Sequence, residues 1–122
     1  CFPIWHKEAD LRMIDLQTKE EIPGEANSED SESYHSWSSD GKWVMFTSRR
    51  NSGLFTKLYF SYVSPEGKMH KAFLLPQKTF DVNAPRLQSY NVPEFISGKV
   101  NISPYAIAQC ARSTPVKVQA KP

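Results

Sequence analysis

Between residues 34 and 75 the chain alternates short aromatic or aliphatic stretches with turn sequences. The apolar positions and their spacing predict four strands, over residues 34–38, 42–48, 57–63 and 69–75. The stretches are separated by turn residues, namely Asp-Gly at 40–41, Asn-Ser-Gly at 51–53 and Pro-Glu-Gly at 65–67. Because the connections are short, consecutive strands are expected to pair as an antiparallel meander.

A shorter strand pattern precedes this region. Residues 9–16 mix apolar and polar side chains and continue into Gln-Thr-Lys-Glu at 17–20, which predicts a strand followed by a tight turn. Residues 21–33 then contain Pro23, Gly24 and several carboxylates, and this sequence predicts a solvated connection.

After Pro76 the strand pattern ends. Prolines recur among short apolar clusters, so regular sheet is not expected there. Ser103 and Pro104 are typical of an N-cap and a first helical position, and the residues that follow predict a short helix over 104–112. The remainder of 77–122 is expected to be an irregular extension.

Composition and charge narrow the possible functions. The chain has 122 residues, of which 39% are hydrophobic and 12% aromatic, and this is sufficient for one packed domain. Its 15 basic and 13 acidic residues give a formal charge of +2, too balanced for a nucleic-acid partner. The apolar runs are far shorter than the roughly 20 residues that span a bilayer, so we expect no transmembrane segment. We interpret a start at Cys1 as a piece of a longer polypeptide, and whether Cys1 pairs with Cys110 stays open.

The sequence contains no catalytic or metal-binding motif. His6, His35 and His70 lack ligand spacing, and neither Gly-x-Ser-x-Gly nor a cysteine beside a histidine is present. The acidic residues of 25–33 lack the alternating oxygen ligands and the glycine of an EF-hand loop. We therefore predict no enzymatic activity, no cofactor and no metal site.

Three side chains are candidates for binding. His35 lies beside Trp37 on the first meander strand, while Arg49 and Arg50 follow the second strand. In a meander the loop into the first strand and the loop after the second emerge on the same side. The acidic stretch and the two arginines are thus expected to be close, either as internal ion pairs or as an anchor for an acidic or peptide partner.

The hairpin resembles the WD40-like PD40 repeat of TolB-like bacterial β-propellers. The residues that carry the resemblance are Trp37, the turn Ser38-Ser39-Asp40-Gly41, then Trp43, Val44, Phe46, Ser48, Arg49 and the pair Leu58-Tyr59. Asp40 is expected to bind nearby backbone amides and Gly41 to supply positive φ. The sequence departs from the repeat at Ser39, where the family often has proline, and at Ser61-Tyr62, where many blades have an aspartate.

The resemblance implies a C-terminal propeller fragment of about one and a half blades. Residues 1–24 would be outer strands of a preceding blade, 25–33 an acidic loop, 34–76 one complete blade and 77–122 an extension. A weak echo at 47 residues, which aligns Leu11 with Leu58, agrees with a blade period.

The implied function is a non-catalytic scaffold that binds a protein, a peptide or an envelope glycan in the periplasm or cell envelope. The alternatives are the propeller portion of a prolyl-oligopeptidase-like hydrolase, with its catalytic domain elsewhere, and a self-assembling β-domain. One blade is not expected to bury its own faces. For the chain on its own we therefore predict either self-association through the faces that carry Trp37, Trp43, Phe46, Phe60 and Tyr62, or a collapsed arrangement of two sheets.

Overall fold

The computed structural model describes residues 5–76 and 88–115. Within these ranges the elements are β1 (Met13–Ile14), β2 (Glu21–Ile22), β3 (Glu32–Trp37), β4 (Trp43–Ser48), β5 (Lys57–Tyr62), β6 (Phe73–Leu74) and α1 (Pro104–Arg112). Strands β3 to β6 form an antiparallel sheet in consecutive order, and β1 pairs with β2 in a separate two-stranded sheet. The predicted four-stranded meander is confirmed, in a mostly β chain with one short helix.

The strand limits differ from the predicted ones at both edges of the sheet. Strand β3 begins at Glu32 because Glu32 and Ser33 pair with the end of β4. The register of β3 then shifts between Ser33 and Ser36, and Tyr34 within this bulge has a φ of 52°. At the other edge, β6 keeps two residues of the predicted 69–75, preceded by an isolated bridge from Val63 to Met69.

The turn between β3 and β4 has the geometry expected of Asp-Gly. Gly41 has a φ of 70°, a conformation that side chains with a Cβ rarely adopt. The Asp40 carboxylate accepts hydrogen bonds from the Ser38 hydroxyl at 2.6 Å and from the Lys42 N–H at 3.1 Å. These bonds lower the pKa of Asp40, with the Ser38 bond as the larger cause.

The centre of one face of the sheet, here called the inner face, is buried by the chain itself, whereas Trp37 and Leu74 at the edges of this face are 41% and 36% exposed. The inner face carries Val44, Phe46 and Tyr59, which form a core cluster with Ala26, Val63 and Met69, against which Leu11, Met13 and Ala72 pack. Phe46 is 0% exposed. The expectation that Phe46 is left uncovered is therefore wrong, because the segment before β3 lies over this face.

The acidic stretch 25–33 is also less solvated than its composition suggests. Ala26, Ser31 and Glu32 are buried. The segment is anchored by the Glu25 N–H, which donates to the Met69 carbonyl at 2.8 Å. A stretch that contains Ala26 can contribute to the core while Glu25 and Glu29 stay exposed.

The N-terminal strand prediction is confirmed only in part. Of residues 9–16, two form β1, and its partner β2 comes from the predicted connection. The turn between them is held by the Asp15 carboxylate, which accepts from the N–H groups of Gln17 at 2.7 Å and Thr18 at 3.1 Å.

A C-terminal segment contacts the opposite side of the sheet. The Thr56 hydroxyl donates to the Tyr90 carbonyl at 2.6 Å, the Tyr90 N–H donates to the Thr56 carbonyl at 3.1 Å, and Pro93 is buried. Helix α1 covers the predicted residues, with the Ser103 hydroxyl accepting from the Ala106 N–H at 3.1 Å. No residue of α1 is buried. Among the described residues, no helix has the length and apolar character needed to cross a membrane.

Candidate functional site

The second face of the sheet, here called the aromatic face, carries Trp43, Phe60, Tyr62 and Phe73. Trp43 lies opposite Tyr62 across β4 and β5, and Phe60 lies opposite Phe73 across β5 and β6. Because side chains alternate along a strand, these four rings share one side. The ring centroids of Trp43 and Tyr62 are 5.4 Å apart, and those of Phe60 and Phe73 are 6.0 Å apart.

The aromatic face is only partly covered. Phe95 contacts the Phe60 ring edge-on at 6.0 Å, but Trp43 stays 36% exposed and Phe73 45% exposed. Three of the four rings were predicted to be exposed on a blade, whereas Phe73 was not singled out. Its pairing with Phe60 depends on the length of the turn before β6, which hydrophobic alternation alone does not fix.

On the inner-face side of the sheet, where β3 begins and β4 ends, Arg50 and Glu32 form a buried ion pair. Arg50 Nη2 lies 2.7 Å from Glu32 Oε1, and the Glu32 side chain is 0% exposed. The same carboxylate accepts from the hydroxyls of Ser28 at 2.6 Å and Ser48 at 2.9 Å. The Arg50 guanidinium stacks over Tyr59, with Cζ 4.7 Å from the ring centroid.

The sequence left Arg50 open as an internal partner or as an anchor for another molecule. The structure places it in the internal pair, where it also donates to the Ala26 carbonyl at 2.6 Å. Arg50 therefore ties the acidic stretch to the sheet.

Arg49 points to the other side of β4, where a cavity of about 280 Å³ opens at the end of the sheet. Its guanidinium Nη2 is 3.2 Å from Asp30 Oδ1, and the Arg49 side chain is 10% exposed. The cavity is lined by Arg49 together with Trp5, Tyr34, Thr56, Ser89 and Asn91. Of the lining residues, only Arg49 was a candidate from the sequence. The β3 bulge positions Tyr34, and the C-terminal segment, which returns to the sheet, positions Ser89 and Asn91.

His35 lies apart from both arginines. It is exposed on β3 and, with Trp37, borders a small cleft of about 120 Å³ next to Met13 and Met69. Glu32 pairs with Ser48 at one end of β3, whereas Trp37 pairs with Val44 at the other, so His35 and the arginines do not form one site.

Across 5–76 and 88–115, no group of three His, Cys, Asp or Glu side chains is arranged to hold a metal ion. Cys110 is an exposed free thiol on α1, and Cys1 lies outside the described residues.

Comparisons of the chain with protein-family models, with curated proteins and with solved structures returned no match.

Proposed function

We propose that the chain is a non-catalytic binding module, built on a PD40-type blade, whose aromatic face packs against an apolar β-sheet face of a protein partner. The observation that carries this proposal is the continuous row of partly exposed rings on the aromatic face. The centre of the inner face, around Phe46, is closed by residues of the same chain, and Trp37 and Leu74 are exposed at its edges. The aromatic face instead carries four neighbouring rings in contact with one another, of which Trp43 and Phe73 are more than a third exposed. An exposed cluster of large apolar side chains is typical of an interaction surface.

The chemistry of the aromatic face favours another sheet as the occupant. Its four ring-bearing residues come from three adjacent strands and include no charged side chain. Stacked sheets bury such rows by interdigitating side chains at a separation of about 10 Å. At about 25 cal/mol per Å² of apolar area, covering the exposed parts of two aromatic rings contributes on the order of 1 kcal/mol each or more.

The resemblance to PD40 repeats supports the same occupant, since neighbouring blades of a propeller meet through their sheet faces. It also supports a location in the bacterial envelope, which stays a prediction. When the chain is studied alone, the aromatic face of a second copy is an apolar sheet face of the required kind. Self-association of the chain therefore measures the binding capacity of the aromatic face.

Sedimentation velocity over a wide concentration range tests this proposal. We expect the wild-type chain to associate reversibly and Phe73→Thr to weaken association, because threonine favours strands but removes the ring. Leu16→Thr is the matched control, since Leu16 is 78% exposed on the β1–β2 turn, away from the aromatic face. A wild-type chain that stays monomeric, or equal weakening by both substitutions, would contradict the proposal.

A further inference from the structure

We propose that the cavity beside Arg49 binds a carboxylate group, presented by the C-terminus of a peptide or by a small carboxylic acid. The cavity lies where β4 ends and β5 begins, whereas Trp43 and Tyr62 mark the other end of these strands. The inference is thus independent of the proposed role of the aromatic face.

The first observation is an incompletely satisfied arginine. Arg49 is 8% exposed, and its Nε is buried without a hydrogen-bond partner. Asp30 approaches one terminal nitrogen, Nη2, at 3.2 Å. A guanidinium carries five N–H donors, and buried donors of a charged group are rarely left unpaired.

The second observation is the set of donors around the cavity. Ser89 Oγ faces the Thr56 N–H at 3.4 Å, and Asn91 Oδ1 lies 3.3 Å from the Thr56 hydroxyl. Because Ser89 Oγ accepts from Thr56, the Ser89 hydroxyl hydrogen stays available to a ligand. The single Thr56 hydroxyl hydrogen is shared between the Tyr90 carbonyl and Asn91 Oδ1, and in either orientation of the Asn91 amide at least one of its N–H groups stays available to the same ligand. Tyr34 adds a phenol to the wall.

These features select an acceptor-rich ligand of modest size. A planar guanidinium matches the two oxygens of a carboxylate, and amide and hydroxyl donors extend the same recognition. Trp5 and Leu54 supply apolar walls, and both are largely exposed at 69% and 72%. A volume of about 280 Å³ suits a group of amino-acid size. Since Asp30 already offsets part of the Arg49 charge, we expect a dissociation constant of about 1 mM.

An amide-detected NMR titration of the whole chain tests the proposal, with N-acetylglycine as the probe and N-acetylglycinamide as its uncharged counterpart. We expect the acid, added to about 20 mM, to shift the backbone amides of Arg49, Ser89 and Asn91 with saturation. The amide, which lacks the carboxylate, should leave them in place. Equal shifts with both compounds, or no saturating shift with the acid, would overturn the inference.

Substitutions complete the test. Asn91→Ala removes a donor and leaves the Arg49–Asp30 pair intact, so it should weaken binding of the acid about tenfold without unfolding the chain. Arg49→Gln should weaken it further. Arg12→Gln is the matched control, because Arg12 is a surface cation paired with Glu21 at 3.0 Å. Equal weakening by Arg12→Gln and Arg49→Gln would mean that net charge alone attracts the acid, which contradicts a specific site.

Discussion

Glu32→Gln is expected to lower the free energy of unfolding strongly, although glutamine has nearly the same shape as glutamate. The carboxylate is 0% exposed and lies 2.7 Å from Arg50 Nη2, and glutamine keeps the volume but removes the negative charge. Arg50, whose side chain is 14% exposed, would then be a largely buried cation without its counter-ion. Removing one partner of a buried ion pair typically costs about 3–5 kcal/mol.

We expect a loss near the lower limit, about 3 kcal/mol, because Arg50 still donates to the Ala26 carbonyl and stacks on Tyr59. Against a total stability of about 5–15 kcal/mol this is a large fraction. It corresponds to a decrease in Tm of about 10 °C for a domain of this size.

Urea unfolding followed by tryptophan fluorescence measures the change in unfolding free energy. The control is Glu21→Gln, which breaks the exposed Arg12–Glu21 pair, with side chains 66% and 52% exposed, and should cost less than about 1 kcal/mol. Combining Glu32→Leu with Arg50→Met should recover part of the lost stability, since removing both charges leaves neither unpaired, while the Ser48 hydroxyl and the Ala26 carbonyl each lose one hydrogen-bond partner. If Glu32→Gln costs no more than Glu21→Gln, the buried ion pair does not hold the acidic stretch on the sheet.

Three further predictions concern the turns and the C-terminal segment. Gly41→Val should destabilise the chain by about 1–2 kcal/mol in urea unfolding, because φ is +70° while a Cβ there meets nothing within 4 Å. Gly98→Val, equally uncrowded and without positive φ, should be close to neutral, and equal effects would refute the turn assignment. Because folding lowers the pKa of Asp40, the Asp40 carboxylate stabilises the folded chain above about pH 4. This stabilisation is lost as the pH falls through the pKa of Asp40 in the folded state. Asp40→Asn should therefore reduce the difference in stability between pH 7 and pH 3, and an unchanged difference would count against this. Thr56→Val removes the hydroxyl bond to the Tyr90 carbonyl and should increase hydrogen exchange at Tyr90, whereas unchanged exchange would argue against that anchor.

The meander was predictable from the sequence because its strand pattern and turn residues agree with each other. Alternation around Trp43 and Phe46, ended by Asp-Gly on one side and Asn-Ser-Gly on the other, allows one simple pairing order. The helix over 104–112 was predictable for a similar local reason, namely Ser103 followed by Pro104.

The parts that were not predictable depend on contacts distant in sequence. Composition marks residues 25–33 as solvated, but Ala26 is buried against β4 and Glu32 is buried by Arg50. The sequence could not decide whether Arg50 forms an internal ion pair or faces outward as an anchor for a partner. In both arrangements the guanidinium lies near the carboxylates of residues 25–33. The Arg49 cavity requires the bulge at Tyr34 and the return of Ser89, neither of which has a local sequence pattern.

The central claim is that the centre of the inner face is closed by the chain itself while the row of rings on the aromatic face is open to a partner. Amide and indole NMR shifts recorded against protein concentration test this directly, because they locate the surface used in association. The account predicts shifts that cluster at Trp43, Tyr62 and Phe73 and leave Phe46 and Met13 unchanged. Shifts centred on Met13 and Phe46, or none at any concentration, would contradict it.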